Sequence, residues 1–396
     1  MVKRFCLMLA LLLAILPLAG CWDRMELEQR GFVTGIAIDA GVQREEDKKP
    51  GAKQPLRVTF QEVIPAGLKQ TGQSGGSLAG DSYFNITLEG NSILSVIAKM
   101  SVMTSRTPFF EHLKIVVISE AVARTEYGFA NMLDYFLRNN DARRSVAIMI
   151  AKGEAKQALD TLLQGEKTPV TFIQSISKNQ DSFRMIPETR IGDIHEFLLK
   201  KQSFLVQLVT EKDRFISLVG AAVMNGNKNN LAGFLDEQET EGYNFLRQGI
   251  NEGVIEVSVN DSLLVYKVEE IKRRIKADWS EPGQIRFTIE LDVEGSLLEA
   301  YERLNYLSDD VLAALHGSIE QAILHLTNQT IRKSQKVLKK DILGLGNYME
   351  EHHPKQWRSL YDNWDRGINH YSHCDIEVIV KPQIRRIGSI NNSEQR

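Results

Sequence analysis

The chain is 396 residues long and carries 48 Lys and Arg against 51 Asp and Glu, a net formal charge of −3 spread along its length. That balance excludes wholesale nucleic-acid binding and a strongly cationic membrane patch. The length is enough for about two or three separate hydrophobic cores at the usual domain size.

Lys3-Arg4, the apolar run Phe5 to Leu16, Pro17 and then Leu18-Ala19-Gly20-Cys21 make the charged region, apolar region and small-residue cleavage site of an export signal. At about 1.5 Å per residue the apolar run reaches roughly 18 Å, short of the roughly 30 Å hydrocarbon core that a permanent span must cross. Leu-Ala-Gly-Cys also resembles a bacterial lipobox, in which the cysteine receives diacylglycerol as a thioether and, after cleavage, an N-acyl chain such as palmitate. The rival is an ordinary secretory signal with a chance cysteine; position and neighbours favour the lipobox. Two or more acyl chains, at about 0.8 kcal/mol per buried CH₂, give a lasting anchor where one gives only marginal binding. Loss of Cys6 with the signal and use of Cys21 by lipid would leave Cys374 as the one thiol, with no intramolecular disulfide. Loss of Lys3 and Arg4 takes the charge to −5.

Gly31 to Asp39 is β-branched and apolar enough for a buried strand, and Arg57 to Ile64 alternates as its half-buried partner. Arg44 to Lys53, between them, reads as a solvated loop. The glycines of Thr71 to Gly80 are no phosphate cradle, because no Gly-Lys-Ser/Thr follows; a mobile linker fits better. Asn91-Ser92 is placed to cap a helix running to Ser105, with Ile93, Ile97 and Met100 on one face and Pro108 beyond its end. A strand at Leu113 to Ser119, a helix from Glu120 to Asn139, a strand at Ser145 to Ala151 and a helix from Glu154 to Gln164 predict a mixed sheet with helices packed on it. Thr168 to Phe183 loses periodicity and reads as a domain edge. Phe215 to Met224 and Leu231 to Leu235 form a hairpin about Asn225-Gly-Asn227, and strands follow at Gly253 to Val259, Leu263 to Ile271 and Ile285 to Val293. The longest helix is predicted from Ser308 or Asp309 to about Lys340, closed by Gly344 in the left-handed conformation. Its seam of Leu312, Leu315, Ile319, Ala322 and Leu326 fails at Gln329 and Lys333, so the first half should lie on a sheet and the second protrude. Cys374 to Val380 supplies a last strand.

Three constellations invite chemistry. His352-His353 and His370-x-x-His373-Cys374 are the crowded histidines; a structural zinc site competes with ordinary surface or core histidines, and the opposite facing of neighbouring strand residues argues for the latter. Glu290, Asp292 and Glu294 fall every second residue, either a cation or substrate face or, as is commoner, the wet side of a sheet. Arg332, Lys333, Lys336, Lys339 and Lys340 form a solvated helix end, or a face for lipid phosphates or an acidic subunit. The pattern Gly-x-Ser-x-Gly falls only at Gly72 to Gly76, inside the glycine-rich loop and not at a strand-to-helix elbow, and there is no His-Glu-x-x-His. The residues assign no catalytic set, no metal and no cofactor.

Several stretches together resemble the Ger(x)C family, the lipoprotein C subunits of bacterial spore germinant receptors. They are Cys21-Trp-Asp-Arg-Met-Glu-Leu27 with Val33-Thr-Gly-Ile-Ala-Ile-Asp39, Phe110 to Glu120, Arg138 to Arg144, and Asp341-Ile-Leu-Gly-Leu-Gly346 with Pro354 and Trp357. Ala37 and Leu345 stand where glycine and phenylalanine are commoner, and residues 44–53 look inserted. The resemblance implies a lipid-anchored, non-catalytic subunit on the outer face of the inner spore membrane. It would act with two membrane-embedded subunits, A and B, in sensing nutrients such as amino acids or sugars; Cys21 is the one functional residue carried over. The expected fold is α+β, an elongated multi-domain chain with mixed sheets flanked by helices. Its expected parts are a signal peptide at 1–20, an N-terminal mixed α/β domain at 21–190, a β-rich middle domain at 191–260 and a C-terminal α+β domain with the long helix at 261–396. The alternative is a solute-binding lipoprotein of a transport system, which predicts a cleft between two matching α/β lobes.

Overall fold

A computed structural model describes residues 30–42, 54–68, 82–126, 128–139, 142–161, 165–179, 182–213, 215–247, 252–259, 262–281, 284–300 and 308–386. Cys21, the signal and the loops at 44–53 and 71–80 lie outside them. The first sheet is built on four parallel strands, β1 (Arg30–Ala40), β5 (Ile115–Ser119), β6 (Ala147–Ala151) and β7 (Phe204–Lys212), in the spatial order β7-β6-β5-β1. Every residue of β5 and β6 is buried, as a parallel strand covered on both faces requires. Beyond β1 lie β2 (Leu56–Val63) and β3 (Tyr83–Gly90), both antiparallel; beyond β7 lie β9 (Ala221–Asn225) and β10 (Asn230–Leu235), also antiparallel. Two three-residue strands, β4 (Thr107–Phe109) and β8 (Phe215–Ser217), pair with β1 and β7.

Helices cover both faces. On one, α1 (Ile93–Met103), α2 (Glu120–Arg124), α3 (Gly128–Arg138) and α6 (Ile191–Leu199) close a core on Ile36, Ile38, Val116, Ile118, Ile148 and Ile150. On the other, α4 (Lys156–Asp160) and α5 (Pro169–Ser177) pack on Ala37, Ile115, Val117 and Met149. Ser92 caps α1 as predicted, in a reciprocal capping box with Ser95.

The second sheet has the order β11-β12-β13-β14, made of Gly253–Val259, Ser262–Glu281, Gln284–Ala300 and Asp375–Arg386. Its outer strand β14 runs parallel to β13. The long helix α8 (Asp309–Arg332) crosses one face, burying Leu315, Ile319, Ile323 and Leu326. The core beneath it continues into Phe183, Ile186, Leu205, Val223 and Leu235 of the first body, so the two sheets share one apolar seam.

Several expectations change. Residues 204–235 extend the first sheet, so no sheet boundary falls at 190/191. The helix expected from Glu120 to Asn139 is two, parted where Thr125 turns extended and its hydroxyl caps the Val122 carbonyl at 2.7 Å. Thr168 to Phe183 contains α5, capped by Thr168 with Pro169 in its first turn. The end of the long helix does not protrude: Thr327, Thr330, Ile331, Ser334 and Gln335 are buried, because small polar residues let α7 (Glu237–Leu246) approach closely and bond back, as when Thr330 Oγ1 donates to the Glu239 carbonyl at 2.7 Å. The helix continues as a π-helical turn, Lys333–Leu338, and ends on Lys339, which takes the left-handed conformation (φ 53°) assigned to Gly344. Gly344 is left-handed as well (φ 75°), but it opens the next helix, α9 (Leu345–His352).

Candidate functional site

The segments that carry the family resemblance converge on structural tasks. Asp39, at the end of β1, is buried; its carboxylate accepts from the Ala155 N–H at 2.7 Å and the Lys156 N–H at 3.0 Å, fixing the start of α4 across the sheet. Burial pushes its carboxyl above the usual aspartate range, against the two backbone bonds and nearby Arg57. Ala37 is fully buried, and its small side chain lies under α4 and α5. In the stretch Phe110 to Glu120, Phe110 packs on Phe60 with ring centroids 6.2 Å apart, Ile115 to Ser119 form β5, and Glu120 pairs with Arg124 at 2.6 Å. In Arg138 to Arg144, residues 140 and 141 lie outside the described residues.

The densest polar site is the turn Asp341 to Gly346. The buried Asp341 carboxylate accepts from the N–H groups of Gly344 (3.0 Å), Leu345 (3.2 Å) and Gly346 (2.6 Å), and from the Trp364 indole N–H at 2.7 Å. Desolvation raises its pKa, opposed by the Trp364 and Gly346 bonds. Gly346 must be glycine: a Cβ would stand 2.8 Å from Trp364 Nε1 and 2.9 Å from Trp357. Trp357 and Trp364 meet edge to face at 5.4 Å. Next to this knot, Ser203 at the foot of β7 donates to Asp365 Oδ2 at 2.6 Å, and Lys340 Nζ donates to the Asp365 carbonyl at 2.7 Å. Further along the seam, Asn244 Nδ2 bonds the carbonyls of Phe183 and Met185, and Arg184 pairs with Glu237 and Glu241. These bonds join the two bodies through residues far apart in sequence. Asp341 was legible in the quoted signature; Ser203, Asn244 and Asp365 carry no local signal, because their partners are set by tertiary packing.

The structure does not assemble the constellations singled out for chemistry. Cys374 is buried, its Sγ 3.4 Å from the His370 carbonyl, and burial pushes its thiol up to about 12, so it is a poor nucleophile. His353 packs edge-on against Trp279 at 4.5 Å, His352 stacks on Tyr348 at 4.4 Å, and His373 Nδ1 lies 3.0 Å from the Asn369 carbonyl. Among the described residues no group of three or more His, Cys, Asp or Glu is placed to hold a metal. Glu290, Asp292 and Glu294 meet cations: Arg274 reaches Glu290 and Asp292, Lys276 and Lys381 reach Glu290, and Arg385 pairs with Glu294. Lys276 and Arg274 hold the Glu290 carboxyl down to about 2. The basic helix end is partly spent inside the fold: Lys333 pairs with Glu239 at 3.2 Å, and Lys336 donates to the Ser372 carbonyl at 2.9 Å. A cleft of about 820 Å³ opens between α1 and α3. No helix among the described residues is long and apolar enough to cross a membrane.

With this geometry in place, comparison with known proteins is direct. Residues 23–211 match the spore germination protein N-terminal domain, and residues 219–388 match the spore germination B3/GerAC-like C-terminal domain. Spore germination protein YndF of Bacillus subtilis (strain 168) is 30% identical over 397 residues, covering 97% of this chain and 96% of that protein. Spore germination proteins A3 and B3 of the same organism are each 25% identical, covering 96% and 98% of this chain and 97% and 98% of their own lengths. The crystal structure of the GerBC protein superposes with a TM-score of 0.60 at 22% identity, covering 91% of this chain and 100% of that one, which shows the shared fold. The chain belongs to the Ger(x)C family of spore germination proteins.

Proposed function

We propose that the chain is a non-catalytic, lipid-anchored subunit of a nutrient germinant receptor, held on the outer face of the inner spore membrane by diacylglycerol and an N-acyl chain on Cys21. It acts beside two membrane-embedded subunits, A and B, and is needed for germination. The observation that carries this reading is full-length similarity to germination proteins combined with Leu-Ala-Gly-Cys21 just ahead of β1, which starts at Arg30. Fully extended, the intervening residues span at most about 30 Å, so an anchor at Cys21 would keep the start of β1 within that reach of the membrane surface. Confinement there raises the effective concentration of the chain near membrane partners without any new contact. The extensive seam supports a presenting role: it fixes one body on the other, so that a surface composed from both is offered as a unit.

The solute-binding alternative calls for two matching lobes about a cleft. Here the sheets differ in strand order and direction, which favours the subunit reading. Replacement of Cys21 by Ala tests it: the variant should leave the membrane fraction and lose nutrient-triggered germination, and a membrane-bound, fully responsive Cys21→Ala variant would refute the reading.

A further inference from the structure

Where the two bodies meet, a groove of about 930 Å³ has Ser203, the partner of Asp365, among its lining residues. Its volume and its position between two bodies suit a small ligand. One wall carries Arg273 of β12 and Arg247, just past α7, with the hydroxyl of buried Tyr243 beside both guanidiniums. Arg273 is half-buried. One of its five N–H donors is spent on the Leu246 carbonyl, at 2.6 Å. The carboxylate whose charge reaches Arg273 is Asp341, but the Asp341 oxygens are taken by three backbone N–H groups and Trp364. Burial and the like charge of Arg247 both push Arg273 below the usual arginine range, against the opposite pull of Tyr243 and Asp341. Of the acids lining the groove, Glu188 pairs with Arg190, Glu196 with Lys200, and Asp193 accepts from the Arg190 N–H, while Glu351 at the rim is exposed to solvent. A desolvated guanidinium beside a second one, without an ion-pair partner among the described residues, is an unfavourable arrangement that an anion relieves. Apolar surface adjoins the arginines, from Phe197 and from Ile342 and Leu343 of the family signature.

We propose that this groove binds a small molecule bearing a carboxylate or phosphate, its oxyanion held by Arg273 and Arg247 beside Tyr243 and its apolar part resting on Phe197, Ile342 and Leu343. The arrangement is independent of the receptor reading, since it concerns the isolated chain. The test is calorimetric titration of the full detergent-solubilised chain at constant ionic strength, with inorganic phosphate in one arm and benzoate in the other. Saturable binding tighter than about 10 mM in at least one arm is expected, the responding arm naming the oxyanion. Arg247→Gln, at an exposed position, should weaken that binding about tenfold or more, with an unchanged urea midpoint showing that the fold is kept. Arg273→Lys, which keeps the charge but not the fork, should weaken it less than Arg273→Gln. Absence of saturable binding in both arms, or an Arg247→Gln variant that binds like the wild type, would overturn the assignment.

Discussion

Replacement of Asp341 by Ala strikes the knot that ties the signature turn to Trp364. Four donors lose their acceptor, and three of them, on Leu345, Gly346 and Trp364, belong to buried residues. A buried donor left without a partner costs about 1–3 kcal/mol, so the three together cost roughly 3–9 kcal/mol before relaxation. Water entering from the adjoining cavity of about 160 Å³ lowers that sum, as does relief from burying the carboxylate. A net loss of about 3 kcal/mol is expected, a large fraction of the roughly 5–15 kcal/mol that holds a domain folded. Asp341→Asn keeps the volume but turns its NH₂ toward one pair of donors, so it should fall between Ala and wild type. Urea unfolding followed by tryptophan fluorescence is the assay, because Trp279, Trp357 and Trp364 all pack in the second body. An Asp341→Ala variant within about 0.5 kcal/mol of wild type would refute the argument that these donors depend on the carboxylate.

Other predictions follow from groups that the fold treats unusually. Glu62 is 1% exposed with Oε1 unbonded, and burial raises its carboxyl above the ordinary 4.5. The folded state therefore holds that proton more tightly than the unfolded chain: the penalty is absent below 4.5 and complete above the folded pKa. Glu62→Gln should then melt above wild type at neutral pH, with the gap closing as pH falls toward 4.5 in scanning calorimetry; a gap that widens in acid contradicts this. Cys374 should resist a thiol reagent in the native chain and react once urea unfolds it, and prompt native labelling would show that its burial is misread. Asp39→Ala should lower stability by about 1–2 kcal/mol through the lost bonds to Ala155 and Lys156, and an unchanged urea midpoint would exclude that role.

The parts of the fold that were legible in the sequence are those governed by local pattern. β5 and β6 show as short apolar runs, and the Ser92 cap of α1 follows from residue type alone. Helix α5 was missed because its Ser, Thr and Gln residues dilute the apolar signal, although Pro169, Val170, Ile173 and Ser177 keep helical spacing and turn inward. The last turns of α8 were misjudged for a related reason. Thr327, Thr330 and Ser334 count as polar in any seam, yet their hydroxyls bond main-chain or side-chain oxygens inside the fold, so they bury without cost in unsatisfied groups. The unit beyond residue 190 was not legible because strand partners are chosen across the chain: β7 finds its partner on β6, and β9 and β10 add in turn beyond β7. At the candidate sites, the signature Asp341 could be quoted but not its duty, while Arg273 looks in sequence like one more basic residue of a wet strand.

The subunit reading stands most directly on what accompanies the chain in the membrane. Affinity purification of the full chain from mildly solubilised spore membranes, with mass spectrometry of the eluate and of the chain's own N-terminus, should recover two polytopic membrane proteins and an acylated Cys21. Recovery of the chain alone, with a bare thiol at Cys21, would contradict it.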